Sequence, residues 1–337
     1  MSSAPTDPDV HAAFDEGDLE AYRRELTGYC YRMLGSGVDA EDAVQDALVR
    51  AWRARDRFEG RSSLRSWLYR ITTNVCFDHL EGRQRRAQPM DLGPSTTTAE
   101  AVLGPGLGEH AFVQPMPEGA MFAADDDPGE VAVARESIRL AFLAALQQLP
   151  PRQRVALILF DVLRWQASEV AALLDTSVAS VNSALQRARA TLEGYDPGTA
   201  RLAEVDSDQA ELLAAYVDAF ERYDIDSLVT LLHDDATFSM PPFPIWLRGP
   251  VEVGRWMLGP GIACEGSKLV ATRANGCAAF ASYKRTAEDR RTPWSIQIVE
   301  VAEGKISAIH NFLYPELFEL FGFPDHLPVE PAAPAPS

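Results

Sequence analysis

Apolar residues recur at steps of three and four along the first part of the chain, at Leu19, Tyr22, Leu26, Tyr29 and Met33, then at Ala40, Ala43, Val44, Ala47, Leu48 and Ala51. A third series is Leu64, Trp67, Leu68, Ile71 and Val75. That period places one face of each helix against a core, so a compact helical domain is predicted. Asp39 precedes the second helix, with Glu41 and Asp42 in its first turn, and Ser62 or Ser63 can cap the third. From about Ala87 to Gly129 the periodicity stops, Pro and Gly recur, and Asp125, Asp126 and Asp127 form an acidic run. A stretch of that length reads as a linker or a functional loop. Helical spacing returns at Ile138, Phe142, Ala145 and Leu149, breaks at Pro150-Pro151, and resumes from Val155 to Leu163. Two short helices follow, about Ala167 to Leu174 and Val178 to Leu192, separated by Asp175-Thr176-Ser177, which suggests a helix-turn-helix.

The remainder changes period. After helices over Ser207 to Tyr223 and Asp226 to His233, strand-like runs occur at Ala236 to Met240, Lys268 to Ala274, Ala278 to Lys284, Ser295 to Val301 and Lys305 to Leu313. Glu303-Gly304 reads as a hairpin turn. Helices followed by successive antiparallel strands predict a separate α+β domain. Pro328 to Ser337 is Pro/Ala-rich and reads as a disordered tail.

With 337 residues, 46% of them apolar, the chain has material for two or three cores. No apolar run approaches the roughly 20 residues of a membrane span, and the start is acidic, so a cytoplasmic protein without a membrane partner is expected. Cys30, Cys76, Cys264 and Cys277 form no metal-ligand spacing; buried free thiols, no metal and no cofactor are expected. The net charge of −18 looks hostile to nucleic acid, but its distribution changes the picture. Glu20 to Met90 carries 13 Arg against 10 acids, whereas Asp91 to Glu136 has one Arg against 9 acids.

Within the basic segment, Arg61, Arg65, Arg70, Arg83, Arg85 and Arg86 are interleaved with Phe58, Trp67, Tyr69 and Phe77. Cations among aromatic rings suit single-stranded nucleic acid. Arginines near a helix end also simply complement its dipole, and these residues alone leave both readings open. On Val178 to Leu192, Val181, Leu185, Ala188 and Leu192 point inward, leaving Ser180, Asn182, Ser183, Gln186, Arg187 and Arg189 to read base edges, or to form a solvated face.

Taken together the segments are more specific. Ala40-Glu-Asp-Ala-Val-Gln-Asp-Ala-Leu-Val-Arg-Ala-Trp52, then Phe58, then Ser63-Leu-Arg-Ser-Trp-Leu-Tyr-Arg-Ile-Thr-Thr-Asn-Val-Cys-Phe-Asp78 closely resembles region 2 of extracytoplasmic-function (ECF) sigma factors of the sigma-70 class. Leu149-Pro-Pro-Arg-Gln-Arg-Val155 through Ser177-Val-Ala-Ser-Val-Asn-Ser-Ala-Leu-Gln-Arg-Ala-Arg189 resembles their region 4. The resemblance implies binding to core RNA polymerase, at the β′ clamp and the β flap, and to promoter DNA, with an anti-sigma protein as a further candidate partner. It implies that Asp42, Gln45 and Asp46 dock on the clamp. It places Arg61, Ser62, Ser63, Trp67, Arg70, Asn74, Arg83, Arg85 and Arg86 at the −10 element, and Ser180, Asn182, Ser183, Gln186, Arg187 and Arg189 at the −35 element. The chain departs from the family in having Asp175 where Gly is usual, and Asn182 and Ala184 where Lys and Arg are common.

The C-terminal segment resembles the SnoaL-like group of the nuclear-transport-factor-2-like superfamily, through Tyr216 to Asp235 and Thr237 to Gly249. The resemblance implies a cone of curved antiparallel sheet closed by helices around a pocket. Tyr216, Trp246, Trp256, His310 and Phe312 are the candidate pocket residues, and a small molecule is a candidate ligand. Relatives on this fold use an Asp or His acid/base inside the pocket, for which His233, Asp234, Asp235 and His310 are the candidates. His233-Asp234-Asp235 also reads as a helix end at a solvated turn, and a lone strand histidine as a satisfied core or rim residue. No acid/base pair stands out, so no catalytic residue and no enzymatic activity are expected. The expected architecture is multidomain: a tail (1–18), all-α region 2 (19–90), an acidic linker (91–130), all-α region 4 (131–196), an α+β SnoaL-like domain (203–325) and a disordered tail (326–337). The pocket domain would modulate the other two, with the acidic linker contributing to a built-in brake. The alternatives are a bifunctional protein with an isomerase- or cyclase-like C-terminal domain, and a conventional helix-turn-helix regulator.

Overall fold

Serine side chains set several of the helix starts. In the computed structural model, which describes residues 14–108, 110–123, 126–193, 207–287 and 290–328, Ser36, Ser63 and Ser177 each turn a side-chain oxygen onto the first free backbone N–H groups of the helix that follows. The helices are α1 (Glu16–Glu20), α2 (Arg23–Leu34), α3 (Gly37–Ala54), α4 (Leu64–Leu80), α5 (Pro89–Leu92), α6 (Pro128–Glu136), α7 (Leu140–Gln148), α8 (Pro151–Leu157), α9 (Ala167–Leu173), α10 (Val178–Leu192), α11 (Ser207–Glu221), α12 (Ile225–Thr230), α13 (Pro250–Leu258) and α14 (Leu317–Leu320). The strands are β1 (Leu232–Ser239), β2 (Trp246–Arg248), β3 (Lys268–Ala274), β4 (Cys277–Arg285), β5 (Arg290–Ala302), β6 (Lys305–Phe312) and β7 (Leu327–Pro328).

The described residues form two compact units. One draws on Met1–Arg83, Ala120–Ala124 and Ala145–Tyr195, the other on Gln84–Gly119, Asp125–Ala144 and Asp196–Ser337. The two helical segments therefore share a unit, and most of the expected free linker belongs to the C-terminal one. The reason is that the linker buries side chains of its own, with Phe112, Val113 and Met116 almost wholly enclosed. Of the expected tails (1–18 and 326–337), residues 1–13 and 329–337 lie outside the described residues, as does Asp125. The inner ends of both tails are structured: Phe14 is buried, α1 starts at Glu16, and β7 pairs with β5.

In the helical unit, Gly35 closes α2 with a φ of 70°, in the left-handed region that suits glycine. Ser36, rather than Asp39, caps α3; the Asp39 carboxylate accepts from Arg83 at 2.9 Å. The predicted stripe of α3 from Ala40 to Ala51 is buried throughout. The Tyr29 and Thr73 hydroxyls are 2.8 Å apart, and the Tyr29 and Tyr69 rings pack 5.0 Å apart, joining α2 to α4. Cys30 and Cys76 are free and buried, with sulfurs 3.7 Å apart, and burial pushes the Cys30 thiol well up. Arg154 of α8 donates to the Met33 carbonyl, to Oε1 and O of Gln147 and to the Leu149 carbonyl, which fastens region 4 onto α2.

The C-terminal unit is one sheet in the order β2-β1-β6-β5-β4-β3, with β7 added to β5. Pairing is antiparallel except between β1 and β6, which run parallel, so the sheet is mixed rather than wholly antiparallel. The chain turns between β5 and β6 at Glu303 and Gly304, with φ of 52° and 71°, the two-residue hairpin that Glu303-Gly304 predicts. Tyr216, Phe220, Phe238, Trp256, Phe280 and Ile309 belong to the core between the helices and one sheet face. Strand alternation sends Ser239, Ile298, His310 and Phe312 to the other face.

The linker and the start of region 4 cover that second face. Ala87, Pro89, Val113 and Leu140 join Ser239, His310 and Phe312 around a cavity of about 10 Å³, no larger than one water needs. Polar contacts fix the register of the cover. Trp246 donates through Nε1 to the Gly93 carbonyl at 2.9 Å, and Glu252 accepts from the Thr98 amide at 2.7 Å. Asn275 accepts from the Met116 amide and donates to the Ile138 carbonyl. Glu118 lies between Arg135 and Arg273, and Arg139 donates to Glu300 at 2.7 Å.

Candidate nucleic-acid interface

On α3, Asp42, Gln45 and Asp46 are exposed on one face while Ala43, Val44, Ala47 and Leu48 are buried behind them. The same face continues into Val49, 41% exposed, and Trp52, 40% exposed, whose ring lies 4.3 Å beneath the Arg55 guanidinium. Sequence reasoning missed these two. Their place at helical spacing beyond Gln45 and Asp46 is the signal that could have found them. Acids beside an exposed Val and Trp make a surface suited to a basic partner helix with an apolar stripe.

On α4, Ser63, Trp67, Arg70 and Asn74 fall on one line at spacings of four, three and four, and none of them is fully buried. Ser63 also caps the helix, accepting from the Ser66 amide at 3.2 Å. Trp67 is half-buried, held by the rings of Phe58 at 5.2 Å and Phe14 at 5.6 Å. Arg61, side chain 86% exposed, pairs with Glu59, and Ser62 is exposed beside it. Arg70 donates to the Ala172 carbonyl of α9 at 2.7 Å, so one of its N–H groups is engaged by region 4. Close by, Trp165 packs 4.9 Å from the Tyr69 ring, with the Arg65 guanidinium 5.0 Å over it; Arg65 is itself paired with Glu25.

The three remaining arginines separate. Arg83 is tied to Asp39, and Arg85 is exposed. Arg86 is 4% exposed and donates to the Phe112 carbonyl at 2.8 Å, with the His110 ring nitrogen at 3.0 Å. A buried guanidinium committed to backbone is not part of a DNA-facing surface, so Arg86 leaves the −10 set. It pins the linker instead.

On α10, Ser180, Asn182, Ser183, Gln186, Arg187 and Arg189 are all exposed, while Val181, Leu185 and Ala188 are buried. Asp175, where glycine is usual, takes a left-handed φ of 50° in the turn. Asp is among the few side chains that tolerate this.

The candidate pocket residues do not form one lining. Tyr216 and Trp256 belong to the interior core, and the Tyr216 hydroxyl donates to Gln297 at 2.9 Å. His310 and Phe312 lie on the opposite sheet face under the linker, and Trp246 holds Gly93. His310, a candidate pocket residue, thus lies on the sheet face away from Tyr216 and Trp256. The period-2 pattern locates a strand but not which face its odd residues take. His310 is buried between Ser239, 2.9 Å from Nδ1, and Glu300, 3.5 Å from Nε2. His233, Asp234 and Asp235 lie in β1, not at a helix end. Among the described residues no group of three or more acidic, His or Cys side chains could hold a metal, and no helix is long and apolar enough to cross a membrane.

Two helical modules with polar faces, joined to an α+β cone, define the class: a promoter-directed initiation factor carrying an appended pocket-type domain. Comparison with known proteins agrees segment by segment. Residues 19–86 match Sigma-70 region 2, residues 139–192 match Sigma-70 region 4, and residues 213–309 match the SnoaL-like domain. The chain is 44% identical over 315 residues to the ECF RNA polymerase sigma factor SigG of Mycobacterium tuberculosis, covering 91% of this chain and 83% of that one. It is 29% identical to SigJ of the same organism, over 89% of this chain and 92% of the relative. The crystal structure of Mycobacterium tuberculosis SigJ superposes with a TM-score of 0.56 at 26% identity, covering 92% of this chain and all of that one. The chain belongs to the ECF RNA polymerase sigma factors.

Proposed function

We propose that this sigma factor docks on core polymerase through Asp42, Gln45, Asp46, Val49 and Trp52, and opens the −10 element with the Ser63–Trp67–Arg70–Asn74 line. The −35 element is read by the exposed face of α10. The carrying observation is the α4 line: a half-buried ring packed against two other rings, flanked by a serine, an arginine and an asparagine. Such a group can stack on an extruded base while polar neighbours bond its edge, offsetting an unstacking cost of a few kcal/mol. Run-off transcription with core polymerase tests it. Asp46→Arg is expected to abolish polymerase binding, and Trp67→Ala to keep binding while losing open-complex formation. Tight promoter binding by the isolated chain, unaffected by either change, would favour a conventional helix-turn-helix regulator instead.

The C-terminal domain modulates initiation rather than catalysing a reaction. This reading is supported by the placement of its histidine candidate, which is under the linker and bonded to Ser239 and Glu300 rather than beside Tyr216. The linker contacts make it a holder of the segment between regions 2 and 4. Transcription by the full chain and by a truncation ending at Tyr195 checks this; equal activity on duplex promoter would remove the modulating role. Turnover of a small molecule that His310→Ala abolishes would restore the enzymatic reading.

A further inference from the structure

Region 4 contains an ion pair that the assignment of α10 as a reading helix does not explain. Residues Ile158–Val162, following α8, form a π-type turn, a widened turn that shifts side-chain directions and recurs at functional sites. Asp161 in this turn faces Arg189 of α10. Its Oδ2 accepts from Arg189 Nε at 3.1 Å and its Oδ1 from Nη2 at 2.6 Å, while the guanidinium carbon sits 5.8 Å over the Phe160 ring. The pair is open to solvent, with side-chain exposures of 53% for Arg189 and 32% for Asp161.

The geometry of a guanidinium makes this arrangement informative. Asp161 occupies the side edge, Nε with Nη2. The end edge, Nη1 with the second proton of Nη2, remains, and Nη1 has no partner among the described residues. That end edge is the two-pronged donor that matches O6 and N7 of guanine in the major groove. Arg189 is aligned with Asn182 and Gln186 at spacings of four and three, and all three line one groove of about 480 Å³ that also includes Phe160 and Glu193. Asn and Gln carry the donor–acceptor pair that matches adenine.

We propose that Asp161 is a positioning residue for promoter readout: it holds Arg189 by its side edge so that the end edge contacts one guanine of the −35 element. The carboxylate fixes the guanidinium plane before DNA arrives, which lowers the ordering cost of the contact. It also cancels the local charge, so the pair reads a base rather than gripping phosphate. A free arginine at the same place would do the opposite. The inference rests on the assignment of α10 to the −35 element, and the test separates the two.

Holoenzyme formed from the full chain and core polymerase is assayed for initiation on a promoter whose −35 element is substituted base by base. One position is expected to prefer guanine by about ten- to hundredfold, the discrimination of a bidentate contact. Replacement of that base by 7-deazaguanine, which lacks N7, should lose most of this preference. Arg189→Ala and Arg189→Lys should both flatten that position and no other. Asp161→Asn, nearly isosteric and at a partly exposed side chain, should relax the same position while leaving preference at the others intact. It should also steepen the salt dependence, because the released arginine gains phosphate contact. Equal loss on every template with Asp161→Asn, preferences unchanged, would reduce the pair to a structural brace and overturn the proposal. So would an Arg189→Ala profile identical to the parent's. Wild-type initiation indifferent to the whole −35 element would overturn the α10 assignment itself, and the proposal with it.

Discussion

Replacing Glu300 by Gln tests whether the sheet face beneath the linker is held by charge. Glu300 and Arg139 have side-chain exposures of 15% and 4%, and His310 lies 3.5 Å from the same carboxylate. Burial raises the carboxyl's proton affinity, but the hydrogen bond and charge of His310 and the Arg139 guanidinium outweigh it and hold the group at about 2. Against an unfolded value of about 4.3, the depression amounts to roughly 3 kcal/mol at neutral pH. Breaking a buried pair by removing one partner costs a similar ~3–5 kcal/mol. A depressed carboxylate stabilises fully above its unfolded value and loses that contribution as pH falls. Roughly half should be gone by pH 3 and nearly all by pH 2. Urea titrations of the full chain, with opening of β5 and β6 followed by hydrogen exchange and mass spectrometry, measure this. Glu300→Gln should open at clearly lower urea at pH 7, and the gap should shrink by about half at pH 3. Equal stability at pH 7, or a gap indifferent to acid, would refute the reasoning.

Further outcomes follow from the other contacts. Arg86→Ala leaves the buried Phe112 carbonyl without its donor, and should cost about 1–3 kcal/mol in the C-terminal unit while leaving −10 selectivity unchanged in a promoter scan. Trp52→Ala should weaken binding to core polymerase at least tenfold in a titration, since an exposed Trp within a docking face is the residue type that dominates such interfaces. Trp165→Ala removes a large buried side chain packed against Tyr69 and Arg65, and should lower the protection of α4 and α9 amides against exchange by about 3–5 kcal/mol.

The helices and strands were legible because their burial is periodic. The α3 stripe, α10 from Val178 to Leu192, β3 and the Glu303-Gly304 turn all fall where the pattern placed them. The ends of α12 and β1 were not, because the apolar residues Leu228, Val229, Leu231 and Leu232 continue a helical pattern into the strand, and only pairing with Ile306 decides it. The linker was read as structureless for a related reason. Its fastenings are backbone amides bonded to Glu252 and Asn275 and a tryptophan bonded to a carbonyl, none of which leaves a repeat in the sequence. Arg86 looked like its neighbour Arg85, and only the carbonyl of Phe112, far along the chain, tells them apart. Asp161 gave no signal at all, since its partner lies 28 residues away.

The hydrogen bond from Arg70 to the Ala172 carbonyl and the seating of Trp165 on Tyr69 tie the orientation of one DNA-facing side chain to the placement of region 4. Arg70 gives α9 one N–H and keeps the others, but while it does so its guanidinium plane is fixed by region 4, and a promoter meets it in that orientation unless these contacts part. The hydrogen bond and the ring pair together are worth about 2–4 kcal/mol, and the buried bonds of Arg154 to Met33 and Gln147 add to the cost of parting the two regions. A partner that grips regions 2 and 4 separately has to supply at least that much before the two polar faces can move apart.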